Sequence, residues 1–257
     1  MVRLPPPGTL CLTQAILELV ADSNAETFCE IGPGAGDLSA ALCHAGLHGI
    51  GVELSSSAAE IARDTLGKPI EEGQFRLVEG DFMEIDDLGS SFDLAVSMMV
   101  MEHVQDDAAF LGRMTKLVRP GGTVLIGVPA RMDRWGIDDE TAGHFRRYEK
   151  TALVRALKDA GLERAQARSV AVPIANLTFH ISNMLVGRAG EARKLALSQR
   201  ARTDTSGIRD ISFKTTFPSS FRFLLNPVAM RPLFWLQRRF YATALGLTLL
   251  GYGGRPN

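Results

Sequence analysis

Short apolar runs alternate with amphipathic stretches through the first two-thirds of the chain. Leu12, Ile16, Leu19 and Val20 recur at helical spacing after Pro5-Pro6-Pro7 and predict a first helix, ending near Asp22-Ser23-Asn24, that covers a sheet. Thr27 to Ile31 reads as a strand, followed by a glycine-rich turn and a helix from Asp37 through Leu38, Ala41 and Leu42. Gly49 to Glu53 is a second strand, Ser55 caps a helix through Ile61 and Leu66, and Phe75 to Val78 is a third strand. A fourth strand, Phe92 to Ser97, precedes a helix opened by Asp106-Asp107 and bearing Phe110, Leu111, Met114 and Leu117. Arg119 to Gly122 reads as a turn, and Thr123 to Val128 is nearly all apolar, as a parallel strand buried on both faces would be. A helix through Leu153, Leu157 and Leu162 follows. This regular alternation predicts an open, doubly wound α/β sheet with its ligand at the carboxyl ends of the strands.

With 257 residues and 46% hydrophobic content, the chain can bury one substantial core, with room for a lid or a second domain. The net charge of −1 conceals an asymmetry: 7 Lys+Arg face 19 Asp+Glu up to Ala130, whereas 21 face 10 from Arg131 onward. From Ser169 the count is 12 basic to 3 acidic, which suggests an anionic partner or a solvated basic face packed on the acidic half. Cys11, Cys29 and Cys43 fall in helix, strand and helix with no Cys-x-x-Cys or His-rich ligand spacing, so buried thiols in a reducing cytoplasm are expected and no metal site is. No stretch reads as a signal peptide or reaches the roughly 20 apolar residues of a membrane span.

The turn Glu30-Ile31-Gly32-Pro33-Gly34-Ala35-Gly36-Asp37 carries the first chemistry. Three glycines in five positions let the backbone approach a ligand, and the helix start beyond them offers unpaired N–H groups. Dinucleotides and S-adenosylmethionine both use such a turn. Here the spacing is Gly-x-Gly-x-Gly, and Asp37 stands where a dinucleotide fingerprint has its third glycine; a carboxylate there would face a pyrophosphate. Glu30 suits a ligand bearing an ammonium group. Glu53, about twenty residues on, is placed to accept both ribose hydroxyls, and Asp81 with Phe82 could bind a purine.

Together these residues resemble a class I S-adenosylmethionine-dependent methyltransferase. Glu30 to Gly36 resembles that family's first motif, Gly51-Val52-Glu53-Leu54 its acidic second-strand end, and Gly80-Asp81-Phe82 its adenine-side loop. Met101-Glu102-His103-Val104 and Arg119-Pro120-Gly121-Gly122-Thr123 are similar to stretches of its quinone-biosynthesis-like branch. The resemblance spans roughly Leu10 to Val172. It implies a seven-stranded, mostly parallel sheet ending in an antiparallel hairpin, with Leu245 to Leu250 as the closing strand. It also implies S-adenosylmethionine as cofactor, with Glu30 near the methionyl ammonium, Gly32, Gly34 and Gly36 admitting the ligand, Glu53 at the ribose, Asp81 and Phe82 at the adenine, and Leu54 and Met98 beside them. Pro33 and Ala35 depart from the commoner residues of the turn.

For the acceptor, His103 and His144 are the candidate bases, and Arg146, Arg147, Tyr148 and Trp135 the candidate substrate contacts, with Asp133 and Asp138 weaker ones. The alternative is that His144 and Tyr148 brace a loop while the arginines face water or pair with Glu149 or Asp138. Residues 173–241 combine nine aromatic residues with Arg222, Arg231, Arg238 and Arg239, and Ser198 to Ser212 within them reads as a flexible crossing or a mobile lid. The expected layout is an α/β core over 1–172 and 242–257, with a helical cap over 173–241. The aromatic residues of the cap would line the acceptor pocket and its cations would attract the acceptor; a homodimer interface and a patch resting on an anionic membrane are the competing uses. The expected activity is methylation, on oxygen, of an anionic or amphiphilic small molecule. A nicotinamide-dependent oxidoreductase and a catalytically silent cofactor-binding scaffold are the alternatives. No nucleic-acid-reading motif accompanies the basic charge.

Overall fold

Phe28, Cys29 and Ile31 are buried along strand β1 (Thr27–Ile31), in the interior of a seven-stranded sheet. A computed structural model describes residues 4–88, 91–188, 191–206, 213 and 217–257. Strands β2 (His48–Glu53), β3 (Phe75–Glu79), β4 (Phe92–Met98) and β5 (Val118–Pro129) run parallel to β1. Strands β6 (Glu163–Val170) and β7 (Thr248–Gly254) pair antiparallel, and β7 also pairs antiparallel with β5. The order is β3-β2-β1-β4-β5-β7-β6, so the last strand in sequence is interior to the sheet. Strand order reverses between β1 and β4, which opens a crevice at their carboxyl ends.

Period-two alternation sends successive residues of β5 to opposite faces. Val124, Ile126 and Val128 join Phe110, Leu111 and Met114 of a single helix, whereas Leu125 packs with Ile16, Phe28 and Leu42 on the other face. The covering helices are α1 (Pro7–Ala21), α2 (Asp37–His44), α3 (Ser56–Thr65), the short α4 (Gly67–Glu71), α5 (Asp107–Leu117), α6 (Ile137–Ala142) and α7 (Lys150–Asp159). Pro7 occupies the first turn of α1, where its missing N–H has no helical partner to lose. Asp106 caps α5 by accepting from the Ala109 N–H. Cys11, Cys29 and Cys43 are free and buried, and burial pushes their thiols up to about 12, 12 and 11.

Several boundaries differ from the sequence expectation. Arg119 to Gly122 lies inside β5, at a register shift opposite Phe92 and Leu94, and is not a separate turn. Leu162 lies beyond the end of α7. The side chain of Ser55 meets Ser57 and makes no cap bond to α3. The closing strand begins at Thr248 and runs to Gly254, not over Leu245 to Leu250. Leu245 is half exposed, while Gly251 sits under α7, where a Cβ would come within 2.9 Å of Leu153, and Gly253 sits against the start of β6, where one would come within 2.9 Å of Leu162. Close packing therefore requires glycine at both positions.

Beyond β6 come α8 (Ile174–Arg188), a short turn at Glu191–Ala196, α9 (Gln199–Asp204), a turn at Ser219–Phe223 and α10 (Arg231–Arg238). The expected mobile crossing thus contains α9, and its residues 207–212 lie outside the described set. Buried Gln237 fastens α10 to the core, donating to the Cys11 carbonyl at 3.0 Å and accepting from the Ala171 N–H at 3.1 Å. Arg238 pairs with Glu18 of α1. Phe223, Leu224, Val228 and Trp235 face outward, with Arg239 over the Trp235 ring. Among the described residues no helix is long and apolar enough to cross a membrane.

Candidate active site

A cavity of about 860 Å³ opens at the carboxyl ends of β1, β2 and β4. At one end is the glycine turn. Gly32, Gly34 and Gly36 take φ values of +73°, +56° and +84°, which side-chain-bearing residues rarely adopt. A Cβ on Gly34 would meet no protein atom within 4 Å, so this position presents bare backbone to the cavity. Glu53 at the end of β2 accepts from the Gly34 N–H at 2.8 Å and the Ser55 N–H at 2.9 Å, one on each oxygen. Each oxygen keeps a second acceptor site, as two ribose hydroxyls would require.

Glu30 is fully buried on β1, and burial raises its carboxyl to about 7 against the hydrogen bond donated by Ser39 of α2. The nearby Glu53 and Asp37 carboxylates push in the same direction. Asp81 accepts from the Met83 N–H at 2.9 Å. Phe82 is buried edge-on to Phe110 at 5.5 Å, with the Arg113 guanidinium 5.1 Å over its ring. Leu54 and Met98 complete this end.

At the other end His103 and His144 come together, their rings 4.7 Å apart and nearly perpendicular. They arrive from different elements: His103 ends the short turn Met101–His103 after β4, and His144 follows α6 and the left-handed Gly143. A backbone bond from the Phe145 N–H to the Glu102 carbonyl ties the two loops at 2.8 Å. Asp139, at the N-terminus of α6, is wholly buried and lies 2.8 Å from His144 Nδ1; it also accepts from Arg147 Nε at 2.7 Å and the Gly136 N–H at 2.9 Å. Although burial opposes it, these donors keep Asp139 below the usual carboxylate range. An ionised carboxylate only accepts, so His144 donates from Nδ1–H to Asp139 and turns Nε2 away from it.

Facing that nitrogen at 3.9 Å is Glu102. Its carboxylate is fully buried, lines the cavity, and has no hydrogen-bond partner on either oxygen. Burial raises its carboxyl to about 7, partly offset by His144. The sequence reading passed over Glu102 and Asp139. Glu102 could have been found as the acid beside His103 in an otherwise apolar run, but only the fold shows that Asp139 rather than Asp138 reaches His144.

The remaining candidates divide. Arg147 lines the cavity but is occupied by Asp139 and the Ala130 carbonyl. Arg146 pairs with Asp107 at 2.7 Å and donates to the Gln105 carbonyl, and Tyr148 donates to the same Asp107 from a buried position that raises its phenol. Arg146, Tyr148 and Trp135 are not part of the cavity wall; the first two clamp the start of α5. Asp138 does line the wall, whereas Asp133 pairs with Arg131 and Arg134. Of the later segment, Ile174, Thr178, Phe179, Asn183, Thr203 and Phe217 line the cavity, and Thr203 Oγ1 stands 3.4 Å from His103 Nδ1. Arg222, Arg231, Arg238 and Arg239 do not.

A profile described as a methyltransferase domain matches residues 9–167. The ubiquinone biosynthesis O-methyltransferase of Aromatoleum aromaticum is 34% identical over 95 residues, which cover 37% of this chain and 40% of that protein. The chain thus spans less than half of this relative's length. Among solved structures, a Haemonchus contortus phosphoethanolamine N-methyltransferase 2, in complex with phosphomonomethylethanolamine and S-adenosylhomocysteine, aligns with a TM-score of 0.59 at 15% identity, covering 96% of this chain and 52% of that one. The [4+2]-cyclase SpnF aligns with a TM-score of 0.56 at 16% identity over 95% of this chain and 80% of that one. At such identities the likeness is one of fold.

Proposed function

The chain belongs to the S-adenosylmethionine-dependent methyltransferases, and we propose that it methylates an oxygen of a small amphiphilic metabolite. The observation that carries this reading is the single cavity joining the glycine turn to the paired histidines and Glu102. When bound, the cofactor supplies an electrophilic methyl group on a sulfonium, so the protein's main task is to hold the acceptor oxygen in line with the sulfur–methyl bond. Glu53 would take the ribose, Asp81 and Phe82 the adenine side, the backbone at Gly34 the cofactor's body, and Glu30 the ammonium. The volume suits a ligand and acceptor together, since sites for drug-sized molecules run about 300–1,000 Å³.

At the acceptor end, a hydroxyl would meet His144 Nε2, aimed by Asp139, with His103 and Glu102 beside it. The 34% identity to an enzyme named for O-methylation supports an oxygen acceptor. Of the two acceptor characters read from the sequence, the amphiphilic one is favoured: Arg222, Arg231, Arg238 and Arg239 stand off the cavity, whereas Phe179 and Phe217 line it. The helices of 173–241 serve as the cap, because α9 reaches the histidine pair through Thr203. Its outward Phe223, Leu224, Val228 and Trp235, interleaved with Arg222, Arg231 and Arg239, support peripheral contact with an anionic surface.

Methyl transfer from labelled S-adenosylmethionine to paired hydroxylated and aminated acceptors of the same skeleton tests the reading. Ether products are expected, and exclusive amine methylation would contradict it. Removing the chain after Pro173 cannot test the cap, because β7 is lost with it; a point change can. Phe179→Ala should raise the acceptor KM about tenfold, the order of one aromatic contact, with S-adenosylhomocysteine affinity unchanged. An unaltered KM would remove Phe179 from the acceptor wall.

Glu30 provides a test by pH. Its folded carboxyl holds a proton up to about 7 against an ordinary 4.5, so the stability it contributes is complete below 4.5 and is lost as pH rises through 7. The decline has an upper bound of about 3 kcal/mol for such a shift. Glu30→Gln should remove it, making the ligand-free protein more stable than the parent at pH 8 but not at pH 4, while weakening S-adenosylhomocysteine binding. Parallel denaturation curves at both pH values would refute this.

A further inference from the structure

Resting on the methyltransferase reading, we propose that Glu102, His103 and His144 hold a divalent transition-metal ion that receives the acceptor's oxygen. One carboxylate oxygen and one ring nitrogen from each histidine lie within 4.8 Å of one another. Proximity alone would carry little, but three further features converge.

The first is Glu102 itself. A fully buried carboxylate with neither oxygen hydrogen-bonded is costly, and native proteins rarely leave such a group without a proton donor or a cation. Arg147, which lines the same cavity, is committed to Asp139 and the Ala130 carbonyl. The second is the gap between Glu102 and His144. At 3.9 Å, Oε1 and Nε2 are too far apart for a hydrogen bond to each other, and neither Glu102 oxygen has another partner. An ion placed between them would find a ligand atom on each side.

The third is the support behind His144. Metal-binding histidines characteristically give their other ring N–H to a carboxylate, which fixes the tautomer and raises basicity. Asp139 supplies this, itself anchored by Arg147 and the Gly136 N–H. On the far side Thr203 Oγ1 of α9 stands 3.4 Å from His103 Nδ1, a contact that orients this ring too.

Two imidazoles and one carboxylate favour a transition-metal ion such as Zn²⁺ or Mn²⁺ over Ca²⁺ or Mg²⁺, which prefer oxygen ligands. Three protein ligands leave coordination positions for the acceptor. A hydroxyl binding there has its pKa lowered and gives its proton to water. Its oxygen then forms a bond to the cofactor's methyl carbon as the carbon–sulfur bond breaks, the bonding pair passing to sulfur. The products are the methyl ether, S-adenosylhomocysteine and one released proton.

The test uses the full chain, stripped with chelator, titrated calorimetrically with Zn²⁺ and with Mn²⁺ and read for Mn²⁺ by electron paramagnetic resonance. One ion per chain is expected, with affinity reduced at least tenfold in Glu102→Gln and in His144→Ala, and by roughly 10–100-fold in Asp139→Asn. Glu102→Gln removes a buried charge and should leave the melting temperature equal or higher, so a folding defect would not mimic lost binding. Absence of a one-to-one site, or a site whose affinity ignores all three changes, overturns the proposal. S-adenosylhomocysteine titrated into the same stripped protein keeps the outcomes separate: if it binds while the metals do not, the ion fails and the methyltransferase reading stands.

Discussion

Replacing His144 with alanine should lower turnover roughly 10²–10⁴-fold, with S-adenosylhomocysteine affinity within about twofold of the parent. The size of the effect follows from how much of the acceptor end is built around this one ring. Asp139, ionised and wholly buried, holds Nδ1–H, and Nε2 points toward Glu102 and the cavity. Alanine removes the imidazole through which Asp139 acts on the acceptor, whether His144 takes the hydroxyl proton itself or binds the ion that lowers its pKa. The glycine turn, at the opposite end of the cavity, is not involved. Asp139→Asn should also slow transfer, because an amide N–H facing Nδ1 favours the tautomer with the proton on Nε2. Single-turnover measurements of methyl transfer, alongside calorimetry, check both. Retained activity in His144→Ala would return the histidine to a bracing role beside Arg147.

Glu53→Ala should weaken S-adenosylhomocysteine binding at least a hundredfold. Hydrogen bonds to a charged group are worth about 1.5–3 kcal/mol each, and two ribose hydroxyls would lose theirs together. The change also frees the Gly34 N–H, which Glu53 now holds at 2.8 Å, so the turn loses the strut that sets its distance from β2. Glu53 is nearly buried, and its loss should not destabilise the ligand-free protein by a comparable amount; a melting temperature near the parent's separates lost recognition from lost fold. Unchanged affinity would mean that the ribose lies elsewhere.

The donor end was legible in the sequence because it is built from consecutive residues whose chemistry is local. A glycine turn needs its glycines wherever the chain folds, and the acids at the ends of β1 and β2 and beyond β3 fall at loop positions that strand-and-helix alternation locates. The acceptor end was only half legible. His103 and His144 stand 41 residues apart in the chain and read as alternatives, and only the sheet brings their rings within 4.7 Å. Asp139 was hidden among three consecutive acids, where the helical register of α6 decides which one turns inward. Arg146 and Tyr148 were misleading for a related reason: a conspicuous basic and aromatic pair satisfied Asp107 on a neighbouring helix instead of a ligand. The closing strand runs on past Leu250 because Gly251 packs under Leu153 and Leu157 of α7 and Gly253 against Leu162, contacts distant in the sequence. Tertiary packing, not local propensity, chose glycine there.

A crystal structure of the full chain with S-adenosylhomocysteine tests the central claim most directly. The ribose should sit on Glu53 and the adenine beside Asp81 and Phe82, with the sulfur opening toward His103, His144 and Glu102. A ligand absent from the glycine turn, or bound there with its sulfur turned away from the histidine pair, would contradict the account.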